Sequence, residues 1–393
     1  MIRSFNPPNL SRVQSRALIV GVVGLVLMLV GAFTNRHQFF QSYLLGFTFW
    51  TGIAVGSLAL LMLQHLTGGG WGLVIRRVLE ASTRTLPLML ALFIPIVLGA
   101  HYLYRWMDPA EVAASPAILF KSGYLKLSFF IVRAVVYFAS WMGLAFFLNR
   151  WSLQQDRTGE RVYTKNMRVL SAPGLVLLVF AITFASVDWY MSLEPEWFST
   201  IFGLLFLAAW SLSALAFTIA VMAALAPVEP LNQIVAPLHF HDLGKLLLAL
   251  VMLWAYFAFS QFLITWSGNL PEEIRYYLPR MHAGWGVMII TIGILHFAAP
   301  FLFLLSRSLK RNPRKLVFVA LLVLVMRVID LYWVLIPAFK IPYFSWMYIV
   351  SPIAIGGIWL WFFAWQLGKR PLIPINDPQF ESVMEQQHEH AGH

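Results

Sequence analysis

Arg133, Asp188, Arg327, Asp330 and His296 fall inside long apolar stretches of the chain. Hydrocarbon does not solvate charge, so each of these groups needs a partner, water or a function. Arg327 and Asp330 are three residues apart, which places them on one helical face where they can pair. Arg133 and Asp188 belong to different stretches and can meet only across helices. A rise of about 1.5 Å per residue puts Arg133 roughly 10 Å below the outer end of its stretch. The same rise brings Asp188 almost to that surface and carries Arg327 and Asp330 into the same outer half. His101 and Gln261 approach this level, as do Tyr137, Trp189 and Tyr332. These groups suit one of two roles: ion pairs that fix helix packing, or a polar chamber that binds a headgroup or relays protons outward. The expense of ions in lipid favours the chamber. His296 lies deeper, roughly 21 Å into its stretch, and reads as a hydrogen-bonded core residue or an inner element of a proton path. With Thr291 it is the main polar feature expected of an otherwise bare inner half.

The elements that must position these residues are apolar spans. Of 393 residues, 60% are hydrophobic and 11% charged, a balance that suits a polytopic membrane protein and not a soluble one. Spans are expected at 17–34, 40–65, 85–104, 126–149, 169–191, 199–226, 243–267, 282–306, 315–338 and 345–367, each about 18 residues or longer. The fold class is therefore all-α and integral to the membrane, with about ten transmembrane helices. Most of the 28 Lys and Arg fall on one side when both termini are placed in the cytoplasm. That asymmetry accounts for the net charge of +11 without any nucleic acid. Residues 1–16 form a short cytoplasmic segment, and the first span reads as an uncleaved signal anchor. Residues 368–393 form a flexible cytoplasmic tail, in which His388, His390 and His393 offer at most adventitious metal binding.

The chain has no cysteine. This excludes thioether-linked haem, cysteine-ligated iron–sulfur clusters, disulfides and thiolate chemistry from the chain itself. Haem b remains formally open through paired histidines, His101 and His282 being at similar depth. Local signals fill in the loops. Gly68-Gly69-Gly70 permits a sharp turn at the inner end of the second span, with Arg76 and Arg77 anchoring that face. Glu194, Pro195 and Glu196 make a short outer turn suited to contacting a partner or assisting proton exit. Pro271-Glu272-Glu273 begins a short outer helix. Asp242 is expected to cap the seventh span, near His239, His241 and Lys245, which could gather protons at the inner mouth.

Several longer stretches carry a family resemblance: HLTGGGWGLVIRR from His65, KSGYLKLSFFIVRAVVYF from Lys121, DWYMSLEPEWFSTIFG from Asp188, RVIDLYWVLIP from Arg327, and DLGKLLLALVMLWAYFAFSQFLITWSGNLPEEIRYYLPR from Asp242. Across residues 17–367 the chain resembles the ActF subunits of bacterial alternative complex III. These are NrfD-like, polysulfide-reductase-type membrane subunits, also called quinol:cytochrome c oxidoreductase quinone-binding subunit 2. The resemblance implies two four-helix bundles plus two peripheral helices in the bacterial cytoplasmic (inner) membrane, facing the related ActC. It implies a complex that oxidises quinol, menaquinol included, and passes the electrons to a cytochrome c or equivalent acceptor. Haem c in ActA and ActE and iron–sulfur clusters in ActB would carry them, with ActD and small membrane subunits completing the assembly. The chain's own role is then a scaffold and proton path without a redox centre, with Arg133, Asp188, Arg327, Asp330, His296, His101 and Gln261 as candidate elements. A quinol site on this chain's outer side is the alternative. A secondary transporter is the alternative from another class, ten spans with midplane charges also suiting that architecture.

Overall fold

The computed structural model describes residues 9–282, 284–339, 344–374, 376–378 and 380. Among these residues the regular structure is helical, with no strand, and ten helices are long and apolar enough to cross a membrane. They are α1 (Ser11–Thr34), α2 (Arg36–Thr67), α3 (Gly70–Leu98), α4 (Leu127–Thr158), α5 (Arg161–Leu193), α6 (Phe202–Leu225), α7 (Pro237–Gly268), α8 (Gly284–Leu305), α9 (Pro313–Ala338) and α10 (Met347–Leu367). The protein is an all-α, multi-pass membrane protein. Ten crossings bring the start of α1 and the end of α10 to one face, the terminal face; the turns after α1, α3, α5, α7 and α9 lie on the opposite face.

Helices α2–α5 pack as one four-helix bundle and α6–α9 as a second, joined where α2 crosses α6. The crossing is close because Gly56 has no side chain: a Cβ there would meet the Trp210 carbonyl oxygen at 2.1 Å. Outside the bundles, α1 lies along α10. Gly21, Gly24 and Gly31 form a stripe on α1, and a Cβ on Gly21 would meet the Ile358 amide nitrogen at 2.6 Å. In lipid, where apolar burial drives no association, such close backbone approach is what holds helices together. The lipid-facing side of α1 is a run of exposed Val, Leu and Ile.

The third span departs most from expectation. Gly68 and Gly69 do make the sharp turn, with φ of 68° and 97°, but α3 begins at Gly70, well before residue 85. Its first half, Gly70–Thr83, is amphipathic and escapes a search for apolar runs. Arg76 and Arg77 lie on it, buried at 1% exposure each, and so do not anchor the chain to the headgroup layer. Asp242 also differs: α7 starts at Pro237, and the Ala236 amide donates to His239 Nδ1 (3.0 Å). The imidazole caps the helix, and Asp242, a turn further in, accepts from Lys245 Nζ (3.0 Å). The short helix at Pro271–Ile274 forms as expected, with Glu272 and Glu273 in its first turn. Of the expected tail, Leu372, Ile373 and Asp377 are buried against the first bundle. Lys340, the three tail histidines and residues 1–8 lie outside the described residues.

Candidate functional site

In the first bundle, the opposite-face end of α4 presents Arg133 to Asp188 near the end of α5. Arg133 Nε donates to Asp188 Oδ2 (2.7 Å), and the Tyr137 hydroxyl donates to the same oxygen (2.6 Å). Arg133 Nη1 donates to the Tyr124 carbonyl (3.0 Å), and the guanidinium lies over the Tyr124 and Phe129 rings, 3.8 and 4.3 Å from their centroids. Asp188 is fully buried. The expected pairing across helices is present.

In the second bundle, Arg327 and Asp330 pair on one face of α9, as their spacing requires. Trp254 of α7 packs edge-on with the His296 ring, with centroids 4.2 Å apart. His296 sits in a π-helical turn, Gly293–Ala298, inside α8. Such bulges often mark functional positions, because the extra residue re-aims the side chains around it. The imidazole is fully buried. Neither ring nitrogen has a hydrogen-bond partner among the described residues, nor has Arg327 Nε. Three buried nitrogens without partners are costly unless polar matter joins them.

Nearer the opposite face lies a second buried group, from the segment between α7 and α8. Arg280, fully buried, donates to Glu194 Oε2 (2.7 Å), to the Val334 carbonyl (2.8 Å) and to the Tyr276 carbonyl (2.6 Å). Its guanidinium covers the Tyr276 ring at 3.6 Å. Burial opposes the Arg280 charge, but Tyr276 and Glu194 outweigh it and raise its pKa. Burial pushes the neighbouring Tyr277 phenol up to about 12. Tyr276 lies within electrostatic reach of both Arg280 and Asp330. Glu194, Arg280 and Tyr276 thus form one contacting group and Arg327 with Asp330 another; no hydrogen bond or ion pair among the described residues joins the two. The hint in the sequence was an arginine set among Tyr276, Tyr277 and Trp285, a poor setting for a solvated loop charge.

The candidate residues fall into separate hydrogen-bonded groups among the described residues. No hydrogen bond or ion pair among the described residues joins Arg133–Asp188 to Arg327–Asp330. Between them, Trp189 packs on Phe93 (4.8 Å), Phe138 (5.7 Å) and Trp141 (5.9 Å), and Tyr190 stacks on Phe206 (4.6 Å). Gln261 belongs to the second group's margin, accepting from Ser199 Oγ (3.2 Å) and donating to the Tyr277 hydroxyl (3.3 Å). His101 stands apart, exposed on the short turn Ala100–Leu103. It packs on Tyr102 and borders a cavity of about 420 Å³ lined also by His37, Gln41, Arg105 and Phe339. His282 is exposed and makes no ring contact with His101 among the described residues.

Nor is the terminal-face half bare. Glu80, 1% exposed, accepts from Arg76 Nε (3.0 Å), Arg77 Nη1 (2.7 Å), Ser152 Oγ (2.5 Å) and Arg370 Nη1 (3.3 Å). Arg76 also donates to Asp377 Oδ2 (2.5 Å), and Arg77 pairs with Asp156. Three guanidiniums and three carboxylates thus close the end of the first bundle, with the segment after α10 strapped across it. The sequence signal was the spacing of Arg76, Arg77 and Glu80, three and four residues apart on one helix.

At the opposite face, Glu196 accepts from Ser115 Oγ (2.8 Å) and pairs with Arg275 (2.6 Å), with Arg105 at 3.9 Å. The Ser115 hydrogen bond, then Arg275 and Arg105, hold its carboxyl below the ordinary carboxylate value despite partial burial. The outer-turn acids are therefore engaged within the chain. Glu194 holds Arg280, and Glu196 ties together the loops after α3, α5 and α7. Against known proteins, no family model matches the chain, and no curated protein sequence matches it.

Proposed function

We propose that the chain is a membrane-embedded, ActF-type subunit of a quinol:electron-acceptor oxidoreductase of the alternative complex III kind, serving as a scaffold that also carries protons. The observation that carries this reading is the architecture. Two four-helix bundles each bury one arginine–carboxylate pair toward the same face, and an edge pair of helices flanks them. Quinol oxidation frees both electrons and both protons of the quinol. The electrons leave through haem and iron–sulfur centres held by partners such as ActA, ActB and ActE. The protons need side chains that hold and pass them. His296, Arg327 and Asp330, continued by Tyr276, Arg280 and Glu194, give such a route from the membrane interior to the opposite face. ActC lies beside this chain in the assembly, which spans the bacterial cytoplasmic membrane with the terminal face inside.

Purification of a tagged chain from its own membrane tests the reading. Co-purification with a multihaem cytochrome c and quinol-dependent acceptor reduction are expected. A stable isolated chain that drives substrate-dependent uptake into vesicles would replace the proposal with a secondary transporter. A quinol site on this chain is a second reading, favoured by the cavity of about 420 Å³ beside His101. A photoreactive quinone that labels residues around that cavity would support it, and labelling confined to ActC would remove it.

A further inference from the structure

The hairpin between α8 and α9 concentrates positive charge at the terminal face. Arg307, Lys310, Arg311, Arg314 and Lys315 occur within nine residues, and among the described residues none of them is in an ion pair. Arg307 and Arg311 bound a short helix that lies against α7. There, Lys245 adds a further cation beside the single carboxylate of Asp242. A cationic loop by itself follows from membrane topology, but topology does not require a lysine to be fixed in place. Lys310 is fixed. It is 8% exposed, with its stem laid over Gly244 of α7, where a Cβ would meet Lys310 Cγ at 2.7 Å. The side chain buries its methylenes and keeps its ammonium at the surface.

The surface beneath these charges is apolar and faces outward: Leu302, Phe303 and Leu305 on α8 and Phe318 on α9 are exposed. The site is thus amphiphilic, with a cluster of unpaired cations at the water boundary and an acyl-chain-compatible wall directly below. We propose that this hairpin, with Lys310 at its centre, binds the headgroup of an acidic phospholipid. A free anion would use the cations and leave the wall uncovered; a lipid engages both. The proposal does not depend on the respiratory assignment.

The test uses the full-length chain with whatever partners accompany it, reconstituted into nanodiscs of phosphatidylcholine containing a minor share of phosphatidylglycerol. Lipids retained after detergent extraction are then quantified by mass spectrometry. The wild-type chain is expected to retain phosphatidylglycerol in preference to phosphatidylcholine. Lys310→Met, which keeps the buried stem and removes the charge, should lower that preference about five-fold, the worth of one cation at a membrane surface. Adding Arg311→Gln should lower it by about the same factor again. Arg161→Gln with Lys165→Gln removes two exposed charges from the same face at the α4–α5 hairpin and should leave the preference intact. The proposal is overturned if Lys310→Met retains lipid as the wild type does, or if the α4–α5 control loses as much. It is equally overturned if the lipid preference holds while a co-purifying protein is lost, since the hairpin would then dock a subunit.

Discussion

Replacing Glu80 by glutamine isolates the energetics of the buried network, because the shapes match and only the charge and one acceptor oxygen change. In the native chain Arg76, Arg77 and Arg370 pair with Glu80, Asp156 and Asp377, with Arg84 beside them on the Glu80 carbonyl. Glu80→Gln leaves three guanidiniums with two carboxylates where water does not reach. Removing one partner of a buried ion pair typically costs about 3–5 kcal/mol, since the remaining charge stays desolvated. For a chain of this size that corresponds to a fall in melting temperature on the order of 5 °C. Arg370 bonds within the network only to Glu80 and Asn149. Arg370→Gln alone should therefore be mild, about 1–2 kcal/mol, because Glu80 keeps two arginines. Combining the two restores the balance: Arg76 retains Asp377 and Arg77 retains Asp156. The double variant should melt above Glu80→Gln alone, a coupling on the order of 1–3 kcal/mol. Detergent-solubilised chain, heated and assayed by fluorescence-detected size exclusion, reads all three. A Glu80→Gln chain as stable as the wild type, or strictly additive losses, would refute the reasoning that charge balance holds this end of the bundle together.

Two further outcomes follow from contacts at other places. Glu196 has a folded pKa below its ordinary value, so its clip contributes stability that is complete above the unfolded value and is lost as pH falls through the lowered one. Hydrogen exchange in residues 105–115 should rise over that acid window in the wild type and already be high at neutral pH in Glu196→Gln; identical profiles would remove the clip. Gly56→Ala places a Cβ 2.1 Å from the Trp210 carbonyl oxygen, where rigid backbone cannot yield. Overpacking of this kind costs about 1–3 kcal/mol, and a melting temperature equal to the wild type's would show that the α2–α6 crossing is looser than described.

The sequence carried the spans well because long apolar runs are dictated by bilayer thickness. It also carried the Arg327–Asp330 pair, whose partners sit on one helical face. It failed where burial is not signalled by apolar composition. The first half of α3 is half polar, so it read as a cytoplasmic loop, yet its charges neutralise one another inside the bundle. Burial of Arg280 is hidden for the same reason: its partner Glu194 lies 86 positions away, and nothing local marks the pairing. Depth alone puts these groups at one level without saying which of them touch. Depth along a helix says nothing about azimuth, and the azimuth of Asp188 turns it toward Tyr137 and Arg133. Its neighbour Trp189 faces the aromatic wall.

The distribution of ionisable groups in the second bundle also bears on direction. From His296 toward the terminal face, α8 continues as Phe-Ala-Ala-Pro-Phe-Leu-Phe-Leu-Leu. The matching stretches are 246–253 on α7, 316–326 on α9 and 214–225 on α6. None of these stretches contains an ionisable residue, and their one hydroxyl, Thr218, is already committed to the Ala214 carbonyl (2.7 Å). The gap from Trp254 to Lys245 along α7 is roughly 14 Å at the helical rise, too far for a proton to cross without water or side-chain stations. Toward the opposite face, by contrast, the second bundle carries the Arg327–Asp330 pair and, beyond it, the contacting group Tyr276, Arg280 and Glu194. On the proposed function, protons from the interior would leave toward the opposite face, where the ionisable groups lie. In the proposed quinol-oxidising assembly, Asp330→Asn, which keeps the side-chain shape, should lower proton release during turnover while assembly is retained; Thr218→Val should leave release unchanged. Unaltered release in the aspartate variant would remove the relay, and a loss in the threonine variant would show that the dry half conducts after all.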